Sequence, residues 1–199
     1  MLHLHEGTPN DGLGADQIDE DQAGERILDY PGGPGDGSAL AYTRLSGEEG
    51  PRVGTPPKPK ILVLEIATRQ ILLTIDAPFL GARSPATLAW SPDNLHIAAA
   101  TDPGDNSPDP EVAKIFDAAT GKKIAGVPAK AATVTGLSYS PDGRYLIAGS
   151  VDDSVRIMDG HNYTLLQKIP GDGRSVAVSR DSRYLAISAF PKISVWELK

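Results

Sequence analysis

The stretch that decides the fold is GLSYSPDGRYLIAGS, residues 136–150. Apolar residues alternate with others up to Pro141-Asp142-Gly143 and alternate again after it. An Asp side chain accepts hydrogen bonds from its own turn, and Gly adopts the positive φ that a tight reversal needs. Alternation with a period of two places one face of each strand in a core. The stretch therefore predicts a β-hairpin closed at Gly143, with a backbone conformation there that a β-carbon disfavours.

Two further segments have the same form, TLAWSPDNLHIAAAT from Thr87 and SVAVSRDSRYLAISA from Ser175. A third strand follows each hairpin, and in each an apolar or aromatic residue precedes an acid. These third strands are predicted at Val112–Asp117, Val155–Asp159 and Ile193–Leu198, with an earlier match at Lys60–Glu65. The acids stand at positions 65, 117, 159 and 197, so the unit recurs at intervals of 52, 42 and 38 residues, and near-regular spacing of this kind is typical of repeat architectures.

A fourth strand is predicted after three of the third strands. The three segments are Gln70–Ile75, Lys122–Val127 and Tyr163–Ile169. A weaker first hairpin is predicted from Arg26–Tyr30 and Ala39–Leu45, with Asp36-Gly37 in its turn. The chain thus divides into four all-β units, about 26–78, 79–128, 129–171 and 172–199.

The pattern SPDGRYLIAGS, followed by VRIMD at 155–159, resembles the WD-repeat family of β-propellers. The resemblance implies four-stranded antiparallel blades, about four in number, and a non-catalytic scaffold for protein–protein interaction. The chain departs from the family in two ways. No Gly-His dipeptide precedes a first strand, and only Trp196-Glu197 approaches the Trp-Asp ending, so the family's buried His–Asp network is expected to be missing.

Closure of the ring is open at this stage. Propellers usually have four to eight blades, so four units could close alone, pair with a second copy, or form part of an incomplete or longer array. The last unit ends after its third strand, and an unpaired strand edge recruits other strands. Met1–Glu6 (MLHLHE) alternates apolar and polar residues and is the candidate fourth strand there, in cis or in trans.

The net charge of −7 is concentrated at one end of the chain. Residues 1–25 hold seven acids and no Lys or Arg, while the rest of the chain is balanced. This segment is predicted to be a flexible acidic tail, with residues 26–199 forming the propeller segment. No basic stripe for nucleic acid and no membrane span are present, and zero cysteine fits the expected cytoplasmic location.

The sequence predicts no catalytic, cofactor or metal site. P-loop, dinucleotide-binding, nucleophile-elbow and HExxH patterns are absent. His3 and His5 share one face of a predicted strand but lack a third ligand, and His96 is expected to be half-buried. The acidic segment Asp102–Glu111 lacks the spacing of a calcium loop and is interpreted as a solvated insertion.

A protein-binding role is the first hypothesis, because a propeller is a rigid ring with variable loops on its faces. The binding loops would link outer to inner strands or second to third strands. Loop position selects Arg83, Lys130, Asp152, Arg174 and Phe190. The alternatives are a propeller enzyme or small-ligand binder that acts in the central channel, and a fragment of a larger propeller protein. Convergent ionisable groups with shifted pKa would favour the enzyme.

Overall fold

The computed structural model describes residues 38–46, 58–78, 87–101, 111–128, 133–150, 154–171, 173–189 and 191–198. Within these ranges the chain forms fourteen strands and no helix. The strands make four antiparallel sheets, and each sheet uses strands in chain order. The predicted all-β architecture of propeller blades is thereby confirmed.

The first and fourth sheets have three described strands, and the second and third have four. The first comprises β1 (Ala39–Ser46), β2 (Lys58–Glu65) and β3 (Ile71–Asp76). The second comprises β4 (Leu88–Trp90), β5 (His96–Ala100), β6 (Glu111–Asp117) and β7 (Lys123–Pro128). The third comprises β8 (Val134–Tyr139), β9 (Tyr145–Ser150), β10 (Ser154–Asp159) and β11 (Leu165–Pro170). The fourth comprises β12 (Ser175–Val178), β13 (Tyr184–Ala189) and β14 (Lys192–Glu197).

Two parts of the predicted architecture lie outside the described residues. These are the first strand of the first unit, Arg26–Tyr30, and the N-terminal segment that contains Met1–Glu6. The three predicted fourth strands begin one or two residues later than expected. The largest difference is at β11, where Tyr163 has a φ of 62° and belongs to the preceding turn. A positive φ at a bulky residue ends the extended backbone there.

The hairpins β4–β5, β8–β9 and β12–β13 are closed by the same hydrogen-bonded turn. A serine at the end of each first strand accepts a hydrogen bond at 2.9 Å from the N–H five residues later. The hydroxyl of that serine donates to the Asp two residues after it. The residue following the Asp has positive φ, with values of 64° at Asn94, 77° at Gly143 and 58° at Ser182. The backbone conformation predicted for Gly143 is thus confirmed.

Asp142 is the ionised centre of the turn in the third sheet. Its Oδ1 accepts hydrogen bonds from Ser140 Oγ at 2.7 Å and from Arg144 N at 3.1 Å, and its Oδ2 accepts from Arg144 Nε at 2.6 Å. Partial burial acts to raise its pKa, but these hydrogen bonds and the Arg144 charge outweigh burial and lower the pKa from 3.8 to about 2. The folded turn therefore favours the carboxylate over the carboxylic acid.

Three apolar clusters join each sheet to the next. Phe116 of the second sheet packs with Ile61 of the first, and Met158 of the third packs with Ile115 of the second. The last cluster unites Val155 of the third sheet with Leu185 and Ile187 of the fourth. Burial of a side chain of this size stabilises the fold by about 1.5–3 kcal/mol. None of the three clusters, within the described ranges, combines residues of the fourth sheet with residues of the first.

The fourth sheet differs from the others in exposure. All six residues of β14 are exposed, whereas in β10 five of six are buried. Trp196 is 43% exposed, whereas Phe116, the aromatic residue at the same position of the second sheet, is 4% exposed. The physical reason is that, among the described residues, neither a fourth strand nor a further sheet lies beyond β14.

We expect Gly143→Val to destabilise the protein by about 1–3 kcal/mol, because valine is strained at positive φ. The measurement is the free energy of unfolding from urea denaturation. Gly143→Asn is the matched control, since Asn94 holds the same turn position at a φ of 64°, and it should cost much less. Equal midpoints for wild type and the Val variant would contradict the assignment.

We expect acid to remove the stability that Asp142 contributes. Because its folded-state pKa is depressed, that contribution is complete above about pH 4 and is lost as the pH falls towards 2. Asp142→Asn should therefore lower the urea midpoint at about pH 6 and match wild type more closely at about pH 2. A difference between the two proteins that is the same at both pH values would exclude ionisation of Asp142 as its origin.

Candidate protein-binding site

Of the five residues selected by loop position, the structure describes one, Arg174. Arg83, Lys130, Asp152 and Phe190 lie outside the described residues. Arg174 is exposed and directly precedes β12. Its N–H donates to the Ser188 carbonyl at 2.8 Å, and its carbonyl accepts from Thr135 Oγ1 at 2.8 Å. Hydrogen bonds from the backbone of Arg174 to the third and the fourth sheet therefore fix the position of this exposed, positively charged residue.

Arg174 lines an open cleft of about 410 Å³ on the fourth sheet. The other lining residues are Ser188, Pro191, Lys192 and Ile193. Lys192 brings a second exposed cation, and Ile193 is 75% exposed. Two cations beside an exposed apolar side chain can bind a carboxylate and an apolar group together. The cleft is therefore suited to an acidic segment that also has an apolar residue.

A second cleft, of about 280 Å³, lies between the hairpin turns of the second and third sheets. Asp93, Asp142 and His161 line it, with the buried Tyr139 beside them. Burial acts to raise the pKa of Asp93, but hydrogen bonds from Ser91 and Leu95 and the charge of His96 lower it. Both carboxylates are thus held in their own turns by local hydrogen bonds.

Two tyrosines and a histidine connect the second and third sheets beside this cleft. Tyr139 Oη donates to Tyr163 Oη at 3.3 Å, and Tyr163 Oη lies 3.0 Å from His96 Nδ1. Burial, followed by the bond to Tyr163, strongly raises the pKa of the Tyr139 hydroxyl, and burial also raises the pKa of Tyr163. Both hydroxyls stay protonated, so they serve as neutral hydrogen-bonding groups in the interface. His96 is half-buried, as expected.

The described ranges hold no group of three or more His, Cys, Asp or Glu residues placed to bind a metal ion. Within the same ranges, the chain has no helix with the length and hydropathy that a membrane crossing demands.

Lys192 and Ile193 were not among the residues selected from the sequence. Both follow Phe190-Pro191 in the link between second and third strands, where only the aromatic residue was chosen. Alignment of the third strands on their acids places Lys192 at the position of Lys60, one residue before an aliphatic side chain in each case. That alignment is the signal that could have identified them.

Comparison with known proteins gives the same architecture. Residues 121–159 match the family model described as "WD domain, G-beta repeat". A solved structure, the crystal structure of the computationally designed Ika4 protein, superposes with a TM-score of 0.58 at 17% identity. The superposition covers 81% of this chain and 86% of that protein. No curated protein matches the chain. Over residues 121–159 the chain is therefore similar to a WD repeat, and its antiparallel sheets are arranged like the blades of a WD-repeat-like β-propeller.

Proposed function

We propose that the protein is a non-catalytic scaffold for protein–protein interaction and that a partner docks on the loops around Arg174. The observation that carries this proposal is the open cleft in which Arg174 and Lys192 flank the exposed Ile193. Exposed arginine beside apolar surface is typical of protein interfaces. The described WD repeat supports the same general role, because repeats of this type mediate protein interactions.

The fixed position of Arg174 supports the choice of this cleft. Its backbone is bonded to Ser188 and Thr135, so the peptide unit that carries the cation is held in place before a partner arrives. A pre-ordered contact loses less conformational entropy on binding than a mobile one. Arg83, Lys130, Asp152 and Phe190 belong to the proposal by loop position, and residues 1–25 belong to it as a flexible acidic tail. Cytoplasmic residence is also proposed, in keeping with the absence of cysteine.

The shifted pKa values support a non-catalytic role. Asp142 and Asp93 owe their lowered pKa to hydrogen bonds within hairpin turns, and Tyr139 owes its raised pKa to burial in an interface. A structural cause accounts for each of these shifts. An enzyme site would instead direct such groups towards a substrate.

We expect Arg174→Glu to weaken partner binding by about tenfold or more, because it replaces an attractive charge with a repulsive one. The measurement is selection of a displayed peptide library on the full chain, followed by titration of the enriched acidic peptides. Arg180→Glu is the matched control. Arg180 is an exposed arginine of the same sheet that lies in the hairpin turn of β12 and β13, and its reversal should leave the affinity unchanged.

The proposal fails if no peptide is enriched over an unrelated protein. It also fails if the Arg174 and Arg180 variants lose affinity equally, since a general charge effect would then explain the result. Thermal melting of both variants shows whether each remains folded.

A further inference from the structure

The outer edge of β14 has backbone groups that no other described strand pairs with. Leu198 N donates to Arg183 O across the sheet, so strand alternation turns the N–H groups of Ile193, Val195 and Glu197 outward. Among the described residues, no strand pairs with this edge. In the third sheet the same edge is filled, and Asp159 N donates to Thr164 O at 2.9 Å. The fourth sheet therefore offers the place where its neighbours hold a fourth strand.

The outer strands of the other three sheets show what such a strand requires. In β3, β7 and β11 only the fifth of six residues is buried, and it is always a β-branched aliphatic residue. These anchors are Ile75, Val127 and Ile169, with exposures of 5%, 2% and 8%. The anchors pair with residues of the third strands, namely Ile61, Ala113 and Val155. Each of these partners lies four residues before the acid that ends its strand. Each anchor belongs to the apolar cluster that joins its sheet to the next sheet, so one buried Ile or Val marks the fourth strand in these three sheets.

The same register identifies the counterparts in β14. Counting back from its terminal acid, Ile193 takes the position of Val155 and Ile61. Lys192 takes the position of Lys60, which is paired across the strands with Asp76. An opposite-charge pair directly across two strands stabilises their pairing. An incoming strand is therefore favoured when an acid follows its anchor.

We propose that the outer edge of β14 binds an extended segment of the partner protein as an antiparallel fourth strand. The segment places an Ile or Val opposite Ile193 and an Asp or Glu opposite Lys192. This is strand addition to a sheet edge, in which backbone hydrogen bonds give affinity and the anchor gives specificity. The inference rests on the proposed function and names the class of partner segment that the same region recognises.

Neither Met1–Glu6 nor a second β14 meets both requirements. Met1–Glu6 has no Ile or Val at any position. In an antiparallel pair of β14 strands, the register that sets Val195 opposite Ile193 sets Trp196 opposite Lys192, so the cation gains no carboxylate. A partner segment ending in Ile-Asp or Val-Glu satisfies both positions. Ile18-Asp19 of this chain has the same pair of residues, and protection of the outward β14 amides in the free chain would identify that segment as the occupant.

The probe is a labelled peptide with the sequence of residues 70–77, QILLTIDA, which contains β3 with its anchor and its acid. We expect saturable binding to the full chain in fluorescence anisotropy. Replacing the anchor, as in Ile75→Ser, should weaken binding about two- to fivefold. Replacing the acid, as in Asp76→Lys, should weaken binding to wild type and restore part of the loss with Lys192→Glu.

Val195→Pro tests the edge directly, because proline removes an outward N–H and is tolerated where that group faces solvent. This variant should lose peptide binding, while Val195→Thr, which keeps the N–H and the β-branch, should retain it. Amide exchange followed by NMR gives a second readout, in which the peptide should slow exchange at Ile193, Val195 and Glu197 of the wild type.

The inference is overturned if the peptide does not bind, or if the Pro and Thr variants of Val195 bind it equally. It is also overturned if these three amides are already protected in the free chain. Light scattering then separates a second copy, with doubled mass, from a segment of the same chain. If the response of acidic peptides to Arg174→Glu survives any of these results, only strand addition is wrong and the proposed scaffold function stands.

Discussion

The structure depends on the burial of one face of each sheet against the next. The inner strands permit this close approach because they are rich in alanine and glycine, as in the buried segment Ala98–Ala100. The third and fourth sheets approach each other closely, since a β-carbon on Gly149 would stand 2.3 Å from the Gly173 carbonyl oxygen. Larger side chains further out, such as Val155 and Ile187, then fill the widening gap. Small residues inside and branched residues outside give each sheet its packing distance.

The same constraint makes the fourth sheet the exception. A repeat of this kind is stabilised by its neighbours, and its outermost unit has a neighbour on one side only. Ile193 and Val195 hold the positions that Val155 and Ile157 hold in the third sheet, yet they are 75% and 67% exposed in place of 1% and 5%. The residue types that build an interface are thus present where the described chain supplies no partner for them. The proposed binding region therefore coincides with the sheet whose apolar residues no other described sheet covers.

Local features of the fold could be predicted from the sequence because their causes are local. The Ser-x-Asp turns and the positive φ of Gly143 follow from side-chain hydrogen bonds within six residues. The exposure of Trp196 could not be predicted, because it depends on which sheet and which strand lie beyond β14. The Tyr163–His96 contact at 3.0 Å joins residues 67 positions apart, so no repeat pattern contained it. For the candidate site, loop position selected Arg174 but not Lys192 and Ile193, because it selects a region of the fold and not the neighbouring residues that line the same cleft.

The charges at the ends of β14 give its open edge a direction. Exposed apolar strands promote unspecific association unless charged residues limit the possible pairings. Lys192 stands at one end of β14 and Glu197 at the other, and Glu197 lies 3.8 Å from Arg183. An incoming antiparallel strand gains electrostatic stabilisation at Lys192 only if it carries an acid after its anchor, and a strand shifted by two residues loses both contacts. On the proposed strand addition, the charge of Lys192 therefore favours one register of the incoming antiparallel strand over registers shifted along the edge.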